Sequence, residues 1–228
     1  MNSPIIKCIS LSKYYTSRDQ TTKAVDDVNL EINKNEIVLL KGRTGAGKST
    51  LINLMCGLDR PTSGDVIVEN EYINKLSDQG LSRVLLKKIG IIFQNFNLLP
   101  TYTVYENIEI ALEPTANDRG ENERIIVPLL EQLELLDKVN SLPYELSIGQ
   151  QQKVAIARIL AKQPSIIFAD EPTGSVDEET AKEIIHHLLF LKNERNVTLV
   201  VTTHGSAFDK SAERIIIMGS GKIINYVC

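Results

Sequence analysis

Cysteine is scarce in this chain, and its spacing excludes two common uses of the residue. Of the 228 residues only three are cysteine, Cys8, Cys56 and Cys228. An odd number at such wide separations fits neither a zinc site nor a disulfide framework. We therefore expect free thiols in a reducing compartment.

Long apolar runs are also missing. No stretch approaches the roughly 20 apolar residues that a helix needs to cross a bilayer. The start, "MNSPIIKCIS", has neither the basic beginning nor the long apolar core of a signal peptide. We therefore expect a soluble, cytoplasmic protein, so any work at a membrane depends on another chain that spans it.

Basic charge is not in excess. The net charge is −4 and no long run of lysine or arginine occurs, so charge gives no support for binding to nucleic acid or directly to an anionic membrane. With 43% hydrophobic and 24% charged residues, the composition is that of a globular protein. The length allows one large domain or two small ones.

Strand-like and helical segments alternate along much of the chain. The apolar runs "EIVLLKG", "SIIFAD" and "VTLVVTTH" are typical of buried strands, whereas "KSTLINLMCGL" and "EETAKEIIHHLLFLKN" have helical spacing. Near the start, "IIKCISL" and "AVDDVNLEI" predict two strands joined by a polar hairpin loop, "YYTSRDQTTK". Helical patterns prevail over residues 95–162. Together they predict an α/β core with a largely parallel sheet and a helical insertion.

One glycine-rich stretch, "KGRTGAGKST" at residues 41–50, lies between a predicted strand and a predicted helix. Gly42, four further residues and then Gly47, Lys48 and Ser49 match the phosphate-loop pattern G-x-x-x-x-G-K-[ST]. Small residues let backbone N–H groups surround an anion, Lys48 can reach the terminal phosphates, and the Ser49 hydroxyl can bind Mg²⁺. The alternative, a turn with a chance lysine, is disfavoured by this location.

Two acids end the strand in "SIIFADEP". Asp170 is placed to hold Mg²⁺ opposite the phosphate loop. Glu171 could orient or deprotonate an attacking water. The alternative is a strand that simply ends in solvated acids, which is common where no phosphate loop is present.

The stretch "LSIGQQQKVAIARIL" resembles the signature motif of ATP-binding cassette (ABC) ATPases, whose usual form is L-S-G-G-Q. Four further motifs of that family occur in the expected order. Tyr15 in "LSKYY" is similar to the aromatic residue that stacks on adenine, and Gln94 in "IIFQNFNLLP" to the Q-loop glutamine. Asp177 in "PTGSVD" matches the D-loop aspartate, and His204 in "VVTTH" the switch histidine. The motifs span nearly the whole chain.

The resemblance implies a fold and a domain plan. The fold is α/β, a P-loop NTPase core with an antiparallel β subdomain and an inserted α-helical subdomain. Residues 1–228 then form a single ABC ATPase domain. Residues 1–94 and 163–228 provide the nucleotide-binding core with the antiparallel subdomain, and residues 95–162 the helical signature subdomain.

The resemblance also implies roles for individual residues, with ATP and Mg²⁺ as cofactors. Ser49, Asp170 and Gln94 organise Mg²⁺. Glu171 is the general base, and His204 contacts the γ-phosphate. Contacts to the nucleotide are implied for a larger set: Tyr15, Gly42, Arg43, Thr44, Gly45, Ala46, Gly47, Lys48, Ser49, Thr50, Ser147, Gly149, Gln150 and Asp177.

Partners follow from the same resemblance. In this family the signature residues, here Ser147, Gly149 and Gln150, act on the ATP bound by the other subunit, so two chains sandwich two ATP molecules. Asp177 lies where it could couple the two sites. A separate membrane permease is expected to hold the protein at the inner face of the cell membrane. The polar stretch after Tyr15 and the run "FNLLPTYTVYENIEIAL" are similar to the lipoprotein-release, macrolide-export and cell-division cassettes.

Two positions depart from the family pattern. Ile148 stands where the signature usually has glycine, and Lys153 where an arginine is usual. A β-branched side chain does not readily adopt positive φ. Either that backbone position is unstrained here or the cap over the γ-phosphate is altered. Lys153 keeps the charge but loses the planar fork of arginine.

The sequence therefore predicts an ATP-hydrolysing subunit that drives a permease of the export or mechanotransmission type. A regulatory dimer, switched by ATP and hydrolysing it slowly, is the alternative, and Ile148 keeps it open. A cassette of DNA repair or translation is less favoured, because such relatives carry coiled coils or two cassettes per chain.

Overall fold

The computed structural model describes residues 3–17, 20–93, 95–113, 118–174, 176–205 and 208–227, together with all their side chains except those of Leu191 and Glu194. Two β-sheets are formed, one of four strands and one of six. Cys228 and Gln94 lie outside the described residues.

The four-stranded sheet is antiparallel, in the order β2-β1-β4-β5. Its strands are β1 (Ile6–Ser17), β2 (Gln20–Ile32), β4 (Ser63–Val68) and β5 (Glu71–Tyr72). The apolar side chains of β1 and β2 enter the core in their first and last halves respectively, while the two ends that meet at the hairpin are exposed.

The predicted hairpin loop "YYTSRDQTTK" was wrong over most of its length. Tyr14 pairs with Lys23, Tyr15 with Thr22, and Ser17 with Gln20, so both strands continue far beyond the core. The pairing needs only backbone hydrogen bonds, and these arms bury almost none of their side chains. Their polar composition therefore does not distinguish a paired arm from a loop.

The six-stranded sheet has the order β10-β9-β3-β8-β7-β6. All neighbours are parallel except β10 and β9, which confirms the largely parallel sheet. Its strands are β3 (Ile37–Lys41), β6 (Ile89–Ile92), β7 (Ile166–Asp170), β8 (Thr198–Thr202), β9 (Arg214–Gly219) and β10 (Lys222–Val227). Every residue of β8 is buried, as its apolar run predicts for a strand covered on both faces.

Six α-helices complete the described structure: α1 (Lys48–Met55), α2 (Asp78–Lys87), α3 (Val104–Glu109), α4 (Arg119–Gln132), α5 (Ile148–Ala161) and α6 (Glu178–Arg195). Helix α1 ends before Gly57, whose φ of 78° suits glycine, as predicted. No strand occurs among the described residues of 95–162, in agreement with the predicted helical insertion. The division into functional subdomains stays a prediction.

Alternate residues of the central strands face two separate cores. Val38 and Leu40 of β3 pack with α1 and the antiparallel sheet, whereas Ile37 and Leu39 pack with the helices on the other side. Each fully buried aliphatic side chain contributes roughly 1.5–3 kcal/mol. The sheet is therefore held from both faces, which fixes the carboxyl ends of its strands.

Two cysteines belong to these cores. Cys8 and Cys56 are buried and free, as predicted, and burial raises the pKa of each thiol to about 12. Among the described residues, no helix is long and apolar enough for a transmembrane span.

Asn107 of α3 fixes the segment that precedes its own helix. Its fully buried side chain donates from Nδ2 to the carbonyls of Leu99, Tyr102 and Thr103, and its Oδ1 accepts from the N–H of Leu99. No apolar residue could satisfy these buried backbone groups.

Replacing Asn107 by alanine is therefore expected to lower the free energy of unfolding by about 2–4 kcal/mol, because several buried backbone groups lose their partners. Urea denaturation measures the change. Asn140→Ala, at an exposed position, is the control and should change stability by less than about 0.5 kcal/mol. Equal stabilities for the two variants would contradict this role of Asn107.

Candidate functional site

The phosphate loop presses against the backbone of neighbouring strands at two glycines. Gly42 has φ 154° and Gly47 has φ 100°. A Cβ on Gly42 would lie 2.3 Å from the carbonyl oxygen of Met218, and one on Gly47 would lie 2.1 Å from that of Ala24. Only glycine fits at these close approaches. The loop is thereby held between the two sheets, directly before α1.

Lys48 begins α1 and turns back over the loop. Its side chain is buried, and Nζ donates to the carbonyls of Gly42 at 2.9 Å and Arg43 at 3.4 Å. Nζ also lies 3.4 Å from Nε2 of His204. The first turn of α1 contains no acidic residue. A lysine ammonium and the positive end of a helix therefore converge at one point, which favours an anion.

Asp170, the last residue of β7, meets the phosphate loop from the opposite side. Its Oδ1 accepts hydrogen bonds from the hydroxyl of Ser49 at 3.1 Å and from that of Thr202. Parallel strands β7 and β8 end at the same edge of the sheet, which is why these groups meet. Thr202 was missed by sequence reasoning, although its place at the end of an apolar strand next to "SIIFAD" was a usable signal.

Glu171 follows in a left-handed conformation, with φ 48°. This conformation is held because the Glu171 N–H donates to the carbonyl of Thr202 at 3.2 Å and to its hydroxyl at 2.9 Å. The carboxylate then reaches His204, with Oε1 2.8 Å from Nε2. A carboxylate and an imidazole in contact beside an anion-binding loop are able to position a water and move a proton.

These groups line one cleft of about 620 Å³. Its walls are residues 44–50 of the phosphate loop and helix α1, residues 22–24 of β2, and the side chains of Glu171 and His204. The structure thus brings together the candidate residues Thr44, Gly45, Ala46, Gly47, Lys48, Ser49, Thr50, Glu171 and His204, with Asp170 bonded to Ser49.

Tyr15 lies beside this cleft. It pairs across the hairpin with Thr22, which lines the cleft, and its ring is 46% exposed. Its hydroxyl donates to Asp59 Oδ2 at 2.8 Å. Burial and the Asp59 carboxylate raise the pKa of Tyr15 above its ordinary value. Lys13 Nζ lies over the ring at 5.1 Å from its centroid, and the exposed part of the ring, anchored at its tip, can stack.

Gln94 lies outside the described residues, and the segment that follows at Phe96 and Asn97 is anchored. Arg158 of α5 donates to the carbonyls of Phe96 and Asn97, both at 2.8 Å, and these two residues have φ of 51° and 48°. Burial lowers the pKa of this guanidinium. Sequence reasoning missed Arg158, which ties helix α5 to Phe96 and Asn97.

The signature residues are not among the described residues that line the cleft. Ser147 caps α5: its hydroxyl accepts from the N–H of Gln150 at 3.2 Å, and Gln150 Oε1 accepts from the Ser147 N–H at 2.9 Å. A Cβ on Gly149 would lie 2.6 Å from Cγ2 of Thr180. Glycine at this position thus permits close packing of α5 against α6.

Ile148 occupies the first residue of α5 and is not one of the positive-φ residues. Of the two alternatives raised by its β-branched side chain, the unstrained position is therefore the observed one. The residue is 53% exposed and lies at the capped N-terminus of the helix. Lys153, further along α5, forms ion pairs with Glu183 at 3.0 Å and Glu134 at 3.6 Å. Its positive charge is therefore paired within the same chain.

Asp177 caps α6. Its carboxylate accepts from the Thr180 N–H at 2.9 Å and from the Thr180 hydroxyl at 2.8 Å, and these bonds hold the pKa of Asp177 below its ordinary value. Because a Cβ on Gly149 would lie only 2.6 Å from Thr180 Cγ2, the start of α5 lies directly against the start of α6. Asp177 is not among the described residues that line the cleft.

Comparison with known proteins identifies the family. Residues 25–174 match the model of the ABC transporter family. The chain is 32% identical over 99% of its length, and 99% of the relative, to the lipoprotein-releasing system ATP-binding protein LolD of Buchnera aphidicola. It is 40% identical to the methionine import ATP-binding protein MetN 1 of Rhodopseudomonas palustris, covering 93% of this chain but spanning only 57% of that protein.

A solved structure is also similar. It is a dimer of the ATP-binding cassette MJ0796 of Methanocaldococcus jannaschii in a post-hydrolysis state with ADP and Pi, with a TM-score of 0.92, 38% identity and 97% of each chain covered. The chain therefore belongs to the ABC transporter family, as an ATP-binding cassette of the ABC ATPase fold. The resemblance inferred from the motifs is confirmed, and the LolD match agrees with the lipoprotein-release group.

Two loop glycines provide a matched test of the close backbone approach. Gly45 has φ 79°, and a Cβ added there would meet open space. Gly45→Ala should therefore lower the unfolding free energy only by the strain of an alanine in the left-handed conformation, about 1–2 kcal/mol. Gly47→Ala places its Cβ 2.1 Å from the Ala24 oxygen and should cost more, because backbone must move. Chemical denaturation of both variants measures the difference. Equal losses of stability would argue against the close approach at Gly47.

Proposed function

We propose that this chain binds and hydrolyses ATP to ADP and phosphate, and that it drives a separate membrane permease through ATP-dependent dimerisation. The observation that carries the proposal is the convergence of Lys48, Ser49, Asp170, Glu171 and His204 at one edge of the sheet. These groups come from α1, from the end of β7 and from the loop after β8.

Phosphate binding is assigned to the loop and to Lys48. In the described conformation Nζ bonds to loop carbonyls, so the ammonium is already held where the terminal phosphates of a nucleotide would enter. Backbone N–H groups of residues 42–50 are assigned to the remaining phosphate oxygens. Tyr15, at the mouth of the cleft, is assigned to the adenine face.

The residues present suit Mg²⁺. Ser49 Oγ and Asp170 Oδ1 are hard oxygen donors that lie 3.1 Å apart beside the phosphate loop, a donor set that Mg²⁺ prefers together with substrate phosphates. When bound, the ion neutralises charge on the phosphates. Ser49, Asp170 and Gln94 are the residues proposed to hold it.

Proton transfer is assigned to Glu171 as general base and orientation to His204. Their contact at 2.8 Å shows the two side chains within reach of one another. The carboxylate can accept a proton from the attacking water while the imidazole fixes the γ-phosphate. The two hydrogen bonds from the Glu171 N–H to Thr202 fix the backbone from which the carboxylate extends.

Dimerisation completes the proposed site. Ser147, Gly149 and Gln150 are not among the described residues that line their own chain's cleft. They lie at the N-terminus of α5, whose positive pole suits a phosphate. We assign them to the ATP of a second copy, with Asp177 beside them at the start of α6. The dimeric state of the similar MJ0796 structure supports this assembly.

We base the proposed type of permease and the proposed direction of transport on the lipoprotein-release group of cassettes. The full-length match to LolD favours a permease that extracts or exports material, with the cassette at the inner face of the cell membrane.

Slow hydrolysis in a regulatory dimer is the second candidate. It is favoured by Ile148, whose exposed side chain stands beside the signature residues where the usual glycine has none. In that case ATP binding closes the dimer and transmits a conformational signal to a membrane partner.

Steady-state ATP turnover of Glu171→Gln tests the proposal. Loss of the base should reduce turnover by about 10²–10⁴-fold while ATP binding is retained. Glu179→Gln, at an exposed position in the first turn of α6, is the control and should leave turnover unchanged. If the unmutated chain already hydrolyses ATP as slowly as Glu171→Gln, the proposal that hydrolysis drives a permease fails. The regulatory dimer is then favoured.

A further inference from the structure

The hairpin arm that carries Tyr15 extends beyond the packed core. It consists of residues 13–17 of β1 and 20–24 of β2, whose side chains are all half-buried or exposed. A two-stranded ribbon is only marginally stable by itself. The position of the Tyr15 ring therefore depends on the contacts that connect this arm with the rest of the chain.

Asp59 makes such a connection with both of its carboxylate oxygens. The Tyr15 hydroxyl donates to Oδ2 at 2.8 Å. Oδ1 accepts from Lys13 Nζ at 2.6 Å and from the backbone N–H of Arg60 at 2.7 Å. The side chains of Lys13 and Asp59 are only 15% and 29% exposed, and charge-assisted hydrogen bonds of this kind are strong. The carboxylate is thus held in one orientation, with Oδ2 directed at Tyr15.

Both partners of the bond between Tyr15 and Asp59 are in the required protonation state. Burial acts to raise the pKa of Asp59, but the hydrogen bonds from Lys13, Tyr15 and then the Arg60 N–H hold it below its ordinary value. Burial and then Asp59 raise the pKa of Tyr15. An ionised acceptor therefore meets a protonated donor throughout the neutral pH range.

Asp59 is connected in turn to the helix that follows the phosphate loop. Its N–H donates to the carbonyl of Asn53 at 3.1 Å, within α1. Helix α1 has eight residues and begins at Lys48, so it is about 12 Å long. One short helix thus fixes the phosphate loop at its start and Asp59 just beyond its end.

Lys13 leaves one face of the Tyr15 ring available. Its Nζ lies over the ring and donates to the carbonyl of Arg60 at 2.8 Å, which fixes the ammonium in place. The tyrosine residue is nevertheless 46% exposed. A flat partner such as a nucleobase would therefore stack on the face opposite Lys13.

We propose that Asp59, supported by Lys13, is a positioning residue for the nucleobase: it fixes the Tyr15 ring relative to the phosphate loop, so that the base and the phosphates of one nucleotide bind together. This rests on the proposed function, in which Tyr15 stacks on adenine. Asp59 is not among the described residues that line the cleft, so it acts through Tyr15. A ring that is already held in place loses less conformational entropy on binding.

Calorimetric titration with ADP and Mg²⁺ tests the proposal, because ADP carries the same base and is not hydrolysed. Asp59→Ala should weaken ADP binding by about three- to tenfold, the effect of ordering one free side chain. Asp65→Ala is the matched control and should bind as the unmutated chain does. Asp65 is 28% exposed and pairs with Lys75 at 2.9 Å, and neither residue is among those described as lining the cleft. Equal ADP affinity of Asp59→Ala and the unmutated chain would overturn the proposal.

A double-mutant cycle separates positioning of the ring from a general structural role. In the Tyr15→Ala background no ring remains to be positioned, so Asp59→Ala should change ADP affinity by less than about 1.7-fold. Tyr15→Phe keeps the ring and loses the bond to Asp59, so it should weaken binding about as much as Asp59→Ala. The phenylalanine variant also provides the test if Asp59→Ala does not fold. Equal effects of Asp59→Ala with and without the Tyr15 ring, or full affinity of Tyr15→Phe, would overturn the proposal.

Steady-state ATP turnover supplies a further readout. Asp59→Ala should raise KM for ATP by the factor seen with ADP and leave kcat unchanged, because the lost interaction concerns the base and not the reacting phosphate. A lower kcat with an unchanged KM would contradict the assignment. Failure of the proposed function would appear separately, as unchanged turnover in Glu171→Gln, whereas the ADP titration does not depend on hydrolysis.

Discussion

The parallel pairing of β8 with both β3 and β7 is the constraint on which the site depends. It sets the carboxyl ends of three strands side by side, so that the phosphate loop, Asp170 and His204 emerge at one edge. The strands are buried on both faces, and their alternate residues belong to two different cores. A slip of one strand by a single residue would exchange its two faces. The packing of the cores therefore determines the geometry of the site.

Close backbone contacts position the loops relative to these strands. Gly42 and Gly47 meet carbonyl oxygens of β9 and β2, and Glu171 is held in a left-handed conformation by Thr202. Outside the cleft, Thr180 bonds to Asp177, the cap of α6, and lies close to Gly149 of the signature. The residues assigned to the chain's own ATP and those assigned to a second ATP are thus both fixed by the same frame, although they lie apart.

Sequence patterns predicted the core strands, the helical insertion and most of the cleft, because buried strands and phosphate-loop spacing depend on local composition. The sequence patterns failed where polar residues form strands or stabilise buried backbone groups. The exposed hairpin arms around Tyr14 resemble a loop in composition, and Asn107 resembles any surface amide until its four hydrogen bonds are seen. Thr202 and Arg158 act through long-range contacts, which no short motif contains. That Ile148 is unstrained could be seen only once the structure placed it as the first residue of α5.

The central claim is that one copy of the chain holds an incomplete ATP site, and that a second copy completes it. The most direct test is the solution mass of Glu171→Gln measured by light scattering, with Mg²⁺ present and with or without ATP. We expect the mass of a single chain without ATP and twice that mass with ATP, and Ser147→Arg in the same background should abolish the doubling. A mass that stays at one chain while ATP is demonstrably bound would contradict the account.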